Sequence, residues 1–322
     1  MGICQSTENT TVPSPSQQQQ QQQQVSKNSS QPLASAVQAV VPASAPHKAV
    51  APPTLYLGLK GKLVIVTGST KGIGYAIATG FARHGALVVV NGRTQAAVEK
   101  AATSIAKATN TPAACLFPIA GDLSKKSDFD VFVAKVDKIG VPVEVLVNNH
   151  GIFDFKPFTV ETDEEWQNYF DVNVLSQVRL SRHYLPGMLE RKTGRILFSS
   201  SGAAVTPLPI AVAYSVSKVA QVALARSLAE LTKGTEVTVN SVLIGPTASE
   251  GATAKFGELA AASGANQEQF LEGFLASMPS YALNRLATSE ETANIFLFLA
   301  SKQGLLINGT SQRADAACIR YI

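Results

Sequence analysis

The sequence predicts a doubly wound α/β domain, a parallel sheet with helices on both faces. Three observations carry that prediction. Short runs that are apolar along their whole length recur from Lys62 onward, segments of helical length lie between them, and a glycine-rich turn directly follows the first run. Strands buried on both faces read as continuous apolar runs, and their alternation with helices marks parallel crossover units.

The elements follow in order. KLVIVTG (62–68) is the first strand and YAIATGFARHG (75–85) the helix after it. ALVVVNG (86–92), CLFPIAGD (115–122) and VEVLVNN (143–149) read as the next three strands. EEWQNYFDVNVLSQVRLSRHYLPGML (164–189) reads as one long helix. RILFSSS (195–201) and VTVNSVLIG (237–245) are a fifth and a sixth strand. TSEETANIFLFLAS (288–301) is a further helix, with Thr288 and Glu291 at the spacing of a capping box.

Residues 1–54 have a different composition. They hold the run Gln17–Gln24, many Ser, Pro and Ala, and a single acid, Glu8. Too little apolar surface is available there to offset the entropy of ordering, so a disordered tail is expected ahead of a domain spanning 55–322. The net charge of +4 is modest, and no Lys/Arg cluster is interleaved with aromatics, which argues against a nucleic-acid partner. Cys4, Cys115 and Cys318 are odd in number and scattered, and the four histidines show no ligand spacing. Neither a disulfide framework nor a metal site is expected, and a reducing, cytoplasmic setting fits. No apolar run approaches the roughly 18 residues of a membrane span.

The turn TGSTKGIG (67–74) sits between a strand and a helix, the context that gives a glycine-rich stretch meaning. Gly68, Gly72 and Gly74 would permit a tight turn and close backbone approach to a pyrophosphate at the helix N-terminus. NAD sites usually carry an acid near the end of the second strand for the ribose 2′-hydroxyl. No acid occurs between residues 62 and 98; Lys71 and Arg93 stand there instead, a pattern suited to the 2′-phosphate of NADP(H).

Tyr214 and Lys218 are four apart, which places them on one face of a helix. Ser201 ends the fifth strand thirteen residues before Tyr214, and Asn173 lies inside the long helix, where a short polar side chain needs a partner. Taken together, these motifs resemble the short-chain dehydrogenase/reductase family over residues 60–320, in particular its 3-oxoacyl-[acyl-carrier-protein] reductases and related oxidoreductases. TGSTKGIG fits the family's T-G-x-x-x-G-x-G, GDL (121–123) its adenine-contacting acid, and NNHG (148–151) its N-N-A-G.

The resemblance implies a seven-stranded Rossmann sheet and a catalytic tetrad of Asn173, Ser201, Tyr214 and Lys218. It also implies a cofactor site drawn from Gly68, Ser69, Thr70, Lys71, Gly72, Ile73, Gly74, Arg93, Asp122, Leu123, Asn149, Gly151, Tyr214, Lys218 and Thr247. Tyr214 would exchange a proton with the substrate oxygen of a ketone, 3-oxoacyl group or secondary alcohol. Ser201 would bond that oxygen, Lys218 would reach the nicotinamide ribose, and Asn173 would hold a water connecting Lys218 to solvent. A free phenol titrates near 10, and a nearby ammonium favours its ionised form; lowering it to about 7 needs roughly 4 kcal/mol.

Three positions depart from the family pattern: His150 for a small alanine, Ile244 for a loop proline, and Ala316–Ala317 for Gly-Gly. VTPLPI (205–210), Phe256, Phe270 and Phe274 are candidates to cover an apolar substrate, or simply to pack within a lid. Family members commonly pair through the helices holding Asn173 and Tyr214, so a homodimer or homotetramer is expected. MGICQS fits the myristoylation pattern at Gly2, with Cys4 placed for palmitoylation, and a tail so anchored would tether the enzyme to the cytoplasmic face of a membrane. The rival reading is a membrane-tethered cofactor-binding scaffold without turnover.

Overall fold

The computed structural model describes residues 57–320; the predicted tail, with Gly2 and Cys4, lies outside the described residues. The strands are β1 (Leu63–Val66), β2 (Leu87–Gly92), β3 (Leu116–Ala120), β4 (Val143–Asn148), β5 (Thr193–Ser201), β6 (Glu236–Ile244), β7 (Thr247–Ala248), β8 (Ala287–Thr288) and β9 (Ser311–Ala314). The helices are α1 (Gly72–Arg83), α2 (Gln95–Thr109), α3 (Lys126–Asp137), α4 (Asp163–Phe170), α5 (Ser176–Arg191), α6 (Val212–Glu230), α7 (Glu250–Ser263), α8 (Gln267–Ala276) and α9 (Ser289–Ala300). Seven strands form one parallel sheet in the order β3-β2-β1-β4-β5-β6-β9.

Successive side chains of β1 serve opposite cores, as the pleat requires. Val64 and Val66 pack with Phe81 of α1, Ile105 of α2 and Phe296 of α9. Leu63 and Ile65 pack with Phe132 of α3, Met188 of α5 and Ala225 of α6. Phe81, Phe132 and Phe296 are fully buried, each contributing about 2–3 kcal/mol by transfer from water. This two-sided covering is the doubly wound architecture the apolar runs predict.

Strand order reverses between β1 and β4, and in such sheets a crevice opens beyond the carboxyl ends of the two neighbours. Thr67–Gly74 leaves β1 there and Asn149–Gly151 leaves β4. On the far side, β7 pairs with β8 and draws together the ends of an excursion built from α7 and α8. α9 starts with the capping box that the sequence predicts: Thr288 Oγ1 accepts from the Glu291 amide, and Glu291 Oε2 accepts from the Thr288 amide.

One element differs from the sequence reading. The long helix over 164–189 is interrupted by a π turn, Asp171–Leu175, between α4 and α5. A π turn carries one extra residue per turn, and such turns favour functional sites. Asn173 lies within it. Among the described residues no helix is long and apolar enough to cross a membrane.

Candidate active site

The glycine turn is built as its spacing implies. Gly68 and Gly72 have φ of 62° and 59°, the left-handed region that glycine adopts without steric cost. Gly74 is required for a different reason: a β-carbon on it would stand 2.4 Å from the Gly68 carbonyl oxygen and from Asn149 Nδ2. α1 begins with no side-chain cap and no acid in its first turn, leaving its first N–H groups for an anion.

A buried polar network holds this floor. Thr67 Oγ1 accepts from the amides of Asn149 and His150, both at 2.9 Å, and Asn149 Nδ2 donates to Thr67 O at 2.9 Å. Asn91, absent from the sequence-predicted set, accepts from the Gly68 amide and donates to the Ile119 and Gly121 carbonyls, tying three strand ends together. Its only sequence signal is a polar residue closing an apolar run. Ser69 is fully buried: its hydroxyl donates to Val66 O and accepts from the Asn91 amide. Leu123 is buried in the core as well, so these two residues offer a cofactor only their backbone.

Lys71 and Arg93 are exposed at the rim of the crevice. Burial alone would raise the Asp122 carboxyl, but the Ser124 hydroxyl and amide, with His150 and Lys125, hold it below the usual range. Burial pushes the His150 imidazole down, opposed by Asp122 and reinforced by Arg93 and Lys218. The backbone of His150 runs close to the turn, its Cα 3.1 Å from where a Gly68 β-carbon would stand. The Thr247 hydroxyl bonds Gly245 O and Thr292, which anchors the start of the α7–α8 excursion.

The predicted tetrad converges at the carboxyl end of β5. Ser201 Oγ accepts from the Ala203 amide at 3.1 Å, which leaves its O–H to donate. The Ser201 hydroxyl faces Tyr214. Lys218 Nζ lies 5.5 Å from the Tyr214 ring centre and donates to Ser199 O at 2.8 Å and Gln221 Oε1 at 3.2 Å. Burial raises the Tyr214 phenol, with Ser201 opposing, and lowers the Lys218 ammonium to about 7. The expectation that the ammonium pulls the phenol down is therefore corrected in the chain alone: loss of solvation raises it against the Ser201 hydrogen bond, and Tyr214 is protonated at neutral pH.

The Asn173 side chain is engaged within the protein, with Oδ1 accepting from the Ile152 amide at 2.8 Å and Nδ2 donating to Ile152 O and Ser217 Oγ. Its carbonyl accepts from Gln221 Nε2 at 2.7 Å. Asn173 thus joins the loop after β4 to α6.

On the open side, Phe153 stands 6.1 Å from Tyr214, ring to ring, and Val205, Leu208 and Ile210 are exposed. The loop after β4 meets the 205–211 segment through the Lys156 amide and Ile210 O. Phe256 packs on Phe270 and Phe274, at 6.1 and 4.9 Å, so these rings form the inside of the lid.

A family profile described as short chain dehydrogenase matches residues 62–259. The chain belongs to the short-chain dehydrogenase/reductase family. An uncharacterized oxidoreductase of Bacillus subtilis, YvrD, is 46% identical over 267 residues, covering 83% of this chain and 99% of the relative. A second B. subtilis oxidoreductase, YvaG, is 38% identical over 268 residues, with the same coverage. Among solved family members, the L-sorbose reductase of Gluconobacter frateurii, complexed with NADPH and L-sorbose, superimposes with a TM-score of 0.77 at 29% identity, over 83% of this chain and all of that one. A 3-oxoacyl-[acyl-carrier protein] reductase from Brucella melitensis with bound NAD gives 0.68 at 26% identity, over 80% and 91% of the two chains. The oxidoreductase class and the Rossmann-type sheet follow from this membership.

Proposed function

We propose that the chain is an NADP(H)-dependent carbonyl reductase acting on ketones or 3-oxoacyl groups, and on secondary alcohols in reverse. The observation that carries this reading is the convergence of Ser201, Tyr214 and Lys218 beside the glycine turn. The residues fit a nicotinamide dinucleotide: Gly68, Gly72 and Gly74 make a cradle that side chains would fill, and the uncapped start of α1 suits a diphosphate. Thr70, Ile73, Asn149, Gly151 and Asp122 would complete its binding surface. The bound nicotinamide supplies or accepts the hydride.

The chain's own groups handle the proton. Tyr214, kept neutral by burial, donates it to the carbonyl oxygen, and Ser201 donates a hydrogen bond to the same oxygen as charge develops there. The Lys218 charge then steadies the phenolate left behind. Phe153, Val205, Leu208 and Ile210 give the entrance an apolar lining, which suits an uncharged ketone or acyl chain.

Preference for the phosphorylated cofactor rests on β2. Asn91, next to its last residue, is committed to backbone groups, and Arg93 follows with Lys71 across the turn, both exposed. A ribose 2′-hydroxyl meets no carboxylate there, whereas a 2′-phosphate meets two cations. The NADPH held by the sorbose reductase agrees with this reading; the NAD of the Brucella enzyme shows that the fold accepts either. Arg93→Ala should weaken NADPH about tenfold or more and NADH little, since about 1.4 kcal/mol is a factor of ten. Equal weakening in a binding titration would make Arg93 a bystander.

Leu175, Val216 and Val219 expose apolar surface on the π turn and α6, which supports pairing of two or four copies through these elements. The purified protein should oxidise NADPH with some member of a panel of ketones and 3-oxoacyl thioesters. Cofactor binding with no turnover across the panel would favour the scaffold instead.

A further inference from the structure

Gln221 belongs to no motif in the sequence, yet it is fully buried between two members of the tetrad. It sits three residues after Lys218 on α6, on the same helical face. Its Oε1 accepts from Lys218 Nζ at 3.2 Å, and its Nε2 donates to the Asn173 carbonyl at 2.7 Å. The orientation of the carboxamide is dictated by its partners, because an ammonium can only donate and a carbonyl can only accept. The Asn173 carbonyl belongs to the π turn, where the helical ladder changes register, and Gln221 satisfies it from outside the helix.

We propose that Gln221 is a positioning residue: its carboxamide ties the Lys218 ammonium to the Asn173 carbonyl and so fixes the place and the charge of Lys218 beside Tyr214. A carboxamide serves both partners at once because it keeps acceptor and donor on different atoms.

The inference rests on reading Tyr214 and Lys218 as the proton-transferring pair. The titratable groups around Lys218 are Tyr214 on its own helix and His150 after β4. From β5 it meets the neutral Ser199 carbonyl, and toward the π turn Gln221 stands between it and the Asn173 carbonyl.

The test uses the full-length chain and the same-sized variants Gln221→Glu and Gln221→Leu. The Lys218 ε-carbon is titrated by NMR in the cofactor-free protein, and turnover is measured against pH alongside. Glu places a carboxylate on the ammonium and should raise the Lys218 midpoint by about one pH unit or more; Leu removes an acceptor and should lower it. The pH profile of turnover should move in the same opposite directions. Midpoints and profiles unmoved in folded variants would overturn the proposal, as would loss of folding in both, which would make Gln221 purely structural. If Leu alone fails to fold, the Glu variant decides. If wild type turns over no carbonyl compound, the functional reading fails, while the Lys218 titration still decides the role of Gln221.

Discussion

The cofactor crevice and the α7–α8 lid are held together by different forces. In the crevice, Thr67, Ser69, Asn91 and Asn149 bond one another and the ends of β1, β2 and β4. The lid has its own small aromatic cluster, and α8 buries no residue. The ion pair Lys255–Asp154 links it to the loop after β4, and such an exposed pair is worth about 1 kcal/mol or less. The difference teaches how unevenly the domain is anchored: buried hydrogen bonds fix the crevice, whereas the lid rests mostly on its own aromatic contacts.

The largest expected effect lies in the chemistry beside the crevice. Tyr214→Phe keeps the ring against Phe153 and removes the exchangeable proton. Turnover should fall by roughly 10²–10⁴ while NADPH binding, read by fluorescence, stays near wild type. Retained turnover would remove Tyr214 from proton transfer.

A pH effect on stability follows from Lys218. Its ammonium titrates at about 7 in the folded protein against a usual 10.5. Below 7 both states hold the proton and burial of the charge weighs fully against folding. Between those values only the unfolded chain holds it, so this residue makes stability rise with pH, by at most about 1.4 kcal/mol per unit. Lys218→Met should flatten that rise in urea unfolding measured from pH 7 to 10. An unchanged slope would mean that the charge is solvated in the folded state.

Two glycines sharpen the contrast between the regions. Gly74→Ala sets a methyl against the Gly68 carbonyl oxygen and should cost about 3 kcal/mol and impair cofactor binding. Gly273, inside α8, has open space where a β-carbon would stand, so Gly273→Ala should stabilise by about 0.5–1 kcal/mol. Thermal melting of both variants checks the pair; equal effects would dissolve the distinction drawn here.

Much of this was legible in sequence because it depends on local pattern. Apolar runs mark six strands of the sheet and glycine spacing marks the turn, while Tyr214 and Lys218 stand out only through the family resemblance, since an i, i+4 pair alone also fits an ordinary surface pair. β9 was not readable: SQRA is short and polar, and forms a strand only because β6 offers it an edge. The π turn carries no Gly or Pro to announce it. Gln221 acquires its role from a carbonyl on another helix, and Asn91 from three strand ends, so neither can be recognised from neighbours in the chain. The Tyr214 phenol moved opposite to expectation because burial, unlike charge spacing, is a property of the folded whole.

Hydride transfer itself gives the most direct test. NADPH carrying deuterium at the transferred position should be mixed with the purified protein and each carbonyl compound of the panel, and the products weighed by mass spectrometry. The account predicts an alcohol bearing one deuterium on the former carbonyl carbon, formed by wild type and roughly 10²–10⁴ times more slowly by Tyr214→Phe. NADPH left intact with every compound, or oxidised without deuterium reaching that carbon, would contradict it.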